Sequence, residues 1–281
     1  MNPLSPTGAR RRGSMLLATS TALLAAVAIA ALVLPALSPN SVEATDFDRI
    51  LESPGFNEMH WFGTDDLGRD QLVRTMQGTQ ITLLVALIAS LVSVVIGVLY
   101  GAVAGYAGGR VDALMMRFVD TLYAMPFIFF VILLMVVFER NFLLVFVAIG
   151  AVNWLDMARI VRGQTLSLRE REFVQAARLI GTPPLRIILR HIAPNLLGVV
   201  VVYATLTIPQ AILVESFLSF LGLGIQEPRT SLGTLVANGV NHVEGAPWML
   251  LLPGGLLVMI LLCFNFLGDG LRDRLDAKRS L

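Results

Sequence analysis

The sequence predicts an all-α polytopic membrane protein with six transmembrane helices and both termini in the cytoplasm. Hydrophobic residues make up 56% of the 281, and charged residues only 15%, where soluble domains carry about 25%. Several apolar runs approach the roughly 20 residues that cross a bilayer as a helix. The basic residues fall mostly in alternate connecting segments, as the positive-inside rule requires of a chain with inner termini.

Taken in order, residues 1–14 carry Arg10, Arg11 and Arg12 and precede an apolar run from Met15 to Leu37. That run exceeds the apolar stretch of a signal peptide, so it reads as an uncleaved first span entered from the cytoplasm, with cleavage near Ala36 as the alternative. Residues 38–79 are rich in Asp and Glu and poor in basic residues, which places them outside, in the periplasm. Near their end, Gly63-Thr64-Asp65-Asp66-Leu67-Gly68-Arg69-Asp70 offers Thr64 or Asp65 as the cap of a short helix leading into the membrane. The second span is expected over Ile81–Gly105, where Gly97, Gly101, Gly105 and Gly109 recur every four residues and let a neighbouring helix approach. A third span follows over Arg117–Phe138. Glu139-Arg140-Asn141 makes a tight outer turn, and a fourth span runs from Phe142 to Met157.

Residues 159–195 form the longest basic interruption in the second half of the chain. Ser167 and Glu170 match a capping box and predict a helix starting near Leu168, with Phe173, Ala177 and Ile180 on its apolar face. Gly181 is expected to stop that helix. Thr182 and Pro183 then cap and open a second helix whose face is Leu185, Ile188, Leu189 and Ile192, ending at Pro194. The product, two short helices around a glycine, is too polar to lie in lipid and reads as the part that receives force.

A fifth span is expected over Leu196–Phe220, with Pro209 and Gln210 inside it and Glu215 nearer its outer end. Glu215 is ionisable and within a span, hence a functional candidate, although about five residues from the boundary it equally suits a contact with interfacial water or an arginine; Gln210, polar in the same span, joins it as a candidate pathway residue. Residues 220–245 form an outer loop, re-entrant in part, and the sixth span runs from Trp248 to Leu267. Placed this way, sixteen of the 21 arginines and lysines lie inside.

Several chemistries lack their residues. Lys278 is the sole lysine and no phosphate-binding glycine loop surrounds it, so the chain holds no nucleotide site of its own. Cys263 stands alone, and His60, His191 and His242 have no metal-ligand spacing, so no catalytic or metal residue is assigned. A secondary transporter, the reading of another class, would rest on Asp120, Asp156 and Glu215 as the acidic groups in or near spans.

The loop resembles the EAA loop of ABC importer membrane subunits, in which Glu-Ala-Ala, a glycine and Ile-x-Leu-Pro follow at fixed spacing. The matching positions are Gln175-Ala176-Ala177, Gly181 and His191-Ile192-Ala193-Pro194, with Gln175, His191 and Ala193 departing from the pattern. The octapeptide Gly63–Asp70 is similar to the GTDxxGRD signature of the peptide and nickel branch. Phe220-Leu221-Gly222-Leu223-Gly224 and the terminal stretch beginning Gly268-Asp269-Gly270 resemble that branch too. Phe146–Phe173 looks most like the C-type membrane subunit of oligopeptide permeases. The resemblance implies a type I ABC importer permease fold over residues 80–270, with a cytoplasmic tail at 271–281. It implies docking on an ATPase through a loop that includes Glu172, Gln175, Ala176, Ala177, Gly181, Arg186, His191 and Pro194. It also implies a second, B-type permease subunit, two cytoplasmic ATPases carrying the ATP and Mg²⁺, and a periplasmic or lipid-anchored solute-binding protein. The chain itself would be a non-catalytic inner-membrane subunit binding no cofactor and no nucleic acid. Oligopeptides are the implied substrate, with dipeptides or nickel as alternatives in the same branch.

Overall fold

The computed structural model describes residues 6–55, 60–126, 129, 132–133 and 142–279. Among these the architecture is all helical. The elements are α1 (Pro6–Leu37), α2 (Gln71–Ala107), α3 (Gly109–Ala124), α4 (Phe142–Arg169), α5 (Glu172–Leu179), α6 (Pro184–Ile187), α7 (Ala193–Phe220), α8 (Leu232–Asn241) and α9 (Trp248–Arg279), with a π-helical turn at Ile188–Ile192.

Four described stretches are long and apolar enough to cross a membrane: Met15–Leu37, Gln71–Ala107, Pro184–Phe220 and Trp248–Leu275. They cover the expected first, second, fifth and sixth spans. The third expected span begins on α3 and the fourth coincides with the first half of α4. Most of the rest of the third, and the turn at Glu139-Arg140-Asn141, lie outside the described residues.

The chain forms two compact units, residues 1–86 with 209–281 and residues 87–208. In the first, α1 packs along α9. Asp70 caps α2 by accepting the Val73 amide at 2.9 Å, so this helix starts ten residues ahead of the expected span and the cap is neither Thr64 nor Asp65. Ser231 caps α8 through the Thr234 amide at 3.2 Å. This short helix is the helical part of the segment expected to re-enter the membrane.

In the second unit, α2 and α4 lie close together. A Cβ at Gly97 would strike Met157, one at Gly101 would strike Ala158 and Arg162, and one at Gly105 would strike Arg162 and Thr165. The stripe is therefore a packing surface. Gly109 does not extend it, because it opens α3 and a Cβ there would meet nothing.

The boundaries around the basic loop differ from the expectation. Helix α4 runs through Leu168 to Arg169, so Ser167 and Glu170 do not start a helix; the new one begins at Glu172 with Arg171 at its N-cap. Pro183, not Thr182, occupies the cap of α6, with Pro184 in its first position. Pro194 ends nothing. A proline removes an amide and crowds the carbonyl four residues back. Here the Ala193 amide reaches five residues back to the Ile188 carbonyl, and this wider turn admits Pro194 near the start of α7 while the helix continues.

Candidate functional site

The two short helices of the loop are built on a buried base in the second unit. Val174 and Ala177 of α5, Ile187 of α6 and Ile188 and Ile192 of the π turn are buried together with Met157, Val161, Leu196 and Val200. Phe173, Ile180, Leu185 and Leu189, expected on the apolar faces, instead point to the surface. The helices are short enough that their phase is set by the two turns between them, which a count of apolar spacings does not include.

Gly181 makes the first of those turns. Its φ is +77°, a conformation that costs other residues about 1–2 kcal/mol. The Thr182 amide bonds the Ala177 carbonyl and the Gly181 amide bonds that of Arg178, both at 3.0 Å, which is the Schellman closure of a helix end. The tip that results is apolar and bare: Leu179 is 88% and Ile180 81% exposed, and Leu185 and Leu189 are more than half exposed. Arg186, Glu172 and Ala176 surround it at the surface, while His191 and Gln175 are partly covered. Gln175 donates to the Arg169 carbonyl at 3.1 Å, so the position that departs from the glutamate of the EAA pattern closes the link between α4 and α5. Pro194 sits at the other end of the loop, beyond the π turn.

Charged pairs brace this base. Arg162 grips Asp112 of α3 with two hydrogen bonds, 2.6 and 2.7 Å. That contact raises the guanidinium above its ordinary value, against the opposing effect of burial. Arg159 pairs with Asp120 at 2.7 Å and stacks over Tyr123, and Arg178 lies over the Tyr106 ring.

The Gly63–Asp70 octapeptide belongs to the first unit and is a folded knot. Asp65 accepts the amides of Leu67 and Arg69, both at 2.9 Å. Its other oxygen pairs with Arg69 at 2.7 Å and Arg74 at 3.2 Å. The same two arginines hold Glu227, in the loop after α7, at 2.8 and 3.0 Å. Asp70 binds the His60 ring at 2.9 Å and Asn40 at 3.0 Å. The Thr64 hydroxyl accepts the Glu52 amide at 2.8 Å, and the Thr64 carbonyl receives the Trp248 indole N–H at 3.1 Å. Gly63 lies against that indole and Gly68 against the Asp46 backbone, neither with room for a Cβ. Arg74 and Glu227 are the residues that sequence reading missed. The i, i+9 spacing of Asp65 and Arg74 has no helical or strand period, and Glu227 is distant in sequence.

Gly222 ends α7 with a second Schellman closure, Leu223 to the Leu218 carbonyl at 2.8 Å, at a φ of +72°. Gly224 folds back on Ser219. Gly268 is buried in α9, with Asp269 exposed beside it. The two candidate pathway residues part company. Gln210 is exposed, whereas Glu215 is fully buried. Glu215 accepts from Ser219 at 2.7 Å, and Ser219 contacts Ser231 at 3.3 Å. One Glu215 oxygen and the Ser216 hydroxyl have no partner. Glu215 thus faces a nest of hydroxyls and has no contact with solvent. Among the described residues no cluster of His, Cys, Asp and Glu suits a metal ion.

Residues 93–281, a span that includes the basic loop at 159–195 and the terminal stretch from Gly268, match the family described as binding-protein-dependent transport system inner membrane component. The chain belongs to this family. It is accordingly a multi-pass inner-membrane permease component, with the type I importer fold. Over 272 residues it is 54% identical to the oligopeptide transport system permease protein OppC of Escherichia coli (strain K12), covering 96% of this chain and 90% of that one. It is 54% identical over 252 residues to the protein of the same name from Salmonella typhimurium, covering 90% and 83%. The dipeptide transport system permease protein DppC of Bacillus subtilis is 42% identical over 251 residues, covering 89% and 78%. Among solved structures, an inward-facing form of the MetNI methionine ABC transporter aligns with a TM-score of 0.58 at 20% identity. It covers 73% of this chain and 96% of that one, which is a likeness of fold.

Proposed function

We propose that this chain is a membrane subunit of an ATP-driven importer that carries oligopeptides across the bacterial inner membrane, with hydrolysis performed by two separate ATPases. The single observation that carries the reading is the loop. Its inner face is packed into the unit it belongs to, and Leu179, Ile180, Leu185 and Leu189 are left bare on the outer face. Burying a leucine side chain yields about 1.5–3 kcal/mol, so a partner groove that covered this tip would hold it firmly. The names of the relatives, at 54% identity over nearly the whole chain, support oligopeptides as the cargo.

The proposed mechanism follows from that layout. Closure of the two ATPases draws this loop and that of a B-type permease subunit together. The packed base around Val174, Ile187 and Ile192 passes the movement to α4 and α7, and the pathway between the two permeases opens outward to a loaded solute-binding protein. Moving such an equilibrium from 1:99 to 99:1 takes about 5.5 kcal/mol of differential contact. A tip docked by several apolar side chains can transmit that; exposed charge pairs of about 0–1 kcal/mol each cannot.

The test is uptake into proteoliposomes holding the chain with its co-purified partners, ATP enclosed and binding protein outside. ATP-dependent uptake favouring tri- to pentapeptides is expected. Uptake of dipeptides or nickel alone would retain the architecture and overturn the substrate, and ATP-independent transport by this chain alone would identify a secondary transporter.

A further inference from the structure

Helices α3 and α4 share a buried seam, on which Val119 of α3 packs with Leu155 and Ala158 of α4. The two flanks of α3 beside that seam are unlike. One exposes Val111, Leu114 and Phe118, with Met125 just past the helix end, an apolar stripe at helical spacing. The other exposes Ala113, Arg117, Asp120 and Ala124, a stripe of small and charged residues at i, i+4, i+7 and i+11. Helix α4 continues this second flank with Asp156, Arg159, Gly163 and Ser167, all exposed at i, i+3, i+7 and i+11. Arg159 joins the two helices there through Asp120 at 2.7 Å.

Asp120 and Asp156 fall within the expected third and fourth spans, where a charge turned to hydrocarbon is strongly unfavourable. The apolar flank suits lipid, so the charged flank must meet water or protein. Its charges are not equally free. Asp120 and Arg159 neutralise each other, and Arg117 stands at the first position of the expected third span, where a long side chain reaches interfacial water. Asp156 is exposed, with no hydrogen bond or ion pair among the described residues. One unpaired carboxylate is left on the wet face, and it calls for a mobile cation. We propose that this flank is a wall of the pathway taken by the transported peptide and that Asp156 receives the peptide's N-terminal ammonium. The inference rests on the reading of the chain as a peptide importer subunit and names a contact for its cargo. Every unmodified peptide carries that ammonium whatever its side chains, so a single carboxylate serves many sequences.

The test uses the complex with its partner chains in lipid nanodiscs, with Cys263, the sole cysteine of this chain, replaced by alanine. Ala124→Cys and Met125→Cys place a thiol on the charged and the apolar flank at consecutive positions, so depth in the membrane does not separate them. A charged, membrane-impermeant methanethiosulfonate is expected to label the first and spare the second, read on this chain by mass. A tripeptide should slow labelling of Ala124→Cys and its N-acetylated form should not. Asp156→Asn should raise the tripeptide concentration needed for protection by about tenfold, the equivalent of about 1.4 kcal/mol. No labelling of Ala124→Cys would overturn the proposal, showing the flank covered by lipid or by the second permease. Labelling of both thiols alike, equal protection by the two peptides, protection by neither, or protection unaltered by Asp156→Asn would overturn it too. Uptake by the same complex keeps the two readings apart: tripeptide uptake without protection overturns this contact alone, whereas uptake of nickel alone overturns the cargo.

Discussion

Gly181 joins the sequence to the proposed transmission most directly, because its backbone angle and its open surroundings make opposite demands on a replacement. A Cβ there meets nothing, so Gly181→Ala carries only the left-handed strain of about 1–2 kcal/mol and should retain most uptake with a small loss of thermal stability. Proline cannot take a φ of +77°, since its ring fixes φ near −65°, and Gly181→Pro removes the amide that closes α5. Transport should be lost while the chain remains in the membrane fraction, a pair of outcomes read by peptide uptake and immunoblotting. A role for Gly181 in packing alone would instead make proline no worse than alanine. Arg162 makes a different point at the same scale. Its Asp112 contact raises further a guanidinium that is already charged at every working pH.

At the scale of elements, the knot before α2 is a device for holding the loop that leads into α8. Arg69 and Arg74 are nearly buried and share two carboxylates, Asp65 and Glu227. Removing one partner of a buried pair leaves charge uncompensated and costs about 3–5 kcal/mol, but Glu227 is half exposed and solvent screens part of that. Glu227→Gln should therefore lower the melting temperature modestly and speed amide exchange in residues 221–231, leaving α5 and α6 untouched. Exchange unchanged in that loop would show that the clamp holds nothing. Much of this level was legible in the sequence: the apolar runs, the glycine stripe of α2 and the glycine stop of α5 all depend on local periodicity or a single conformation. What was not legible depends on contacts remote in sequence or on small phase changes. Glu227 meets Arg74 across 153 residues. Ser167 and Glu170 have the right spacing for a cap, yet α4 runs on because Leu168 packs against the buried cluster of the loop. Pro194, a stop signal by itself, is absorbed by the π turn before it.

At the scale of the whole molecule the proposed function gives the loop two separable properties, a tip that docks and a base that transmits, and a pair of lesions distinguishes them. Leu179→Ser with Leu185→Ser strips two exposed apolar side chains from the tip and leaves Val174, Ala177 and Ile187 in place. At about 1.5–3 kcal/mol for each leucine buried by a partner, affinity for the ATPase should fall by at least 100-fold, since each 1.4 kcal/mol is tenfold. Affinity weakened without damage to the base is recoverable by mass action: uptake in proteoliposomes should return as the ATPase concentration is raised. Gly181→Pro, which distorts the turn connecting the two helices, should not recover at any ATPase concentration. If both variants recovered alike, the base would be passive and movement would reach α4 and α7 by another route; if neither did, the tip would be part of the transmitting element, and docking and force transfer would be one step.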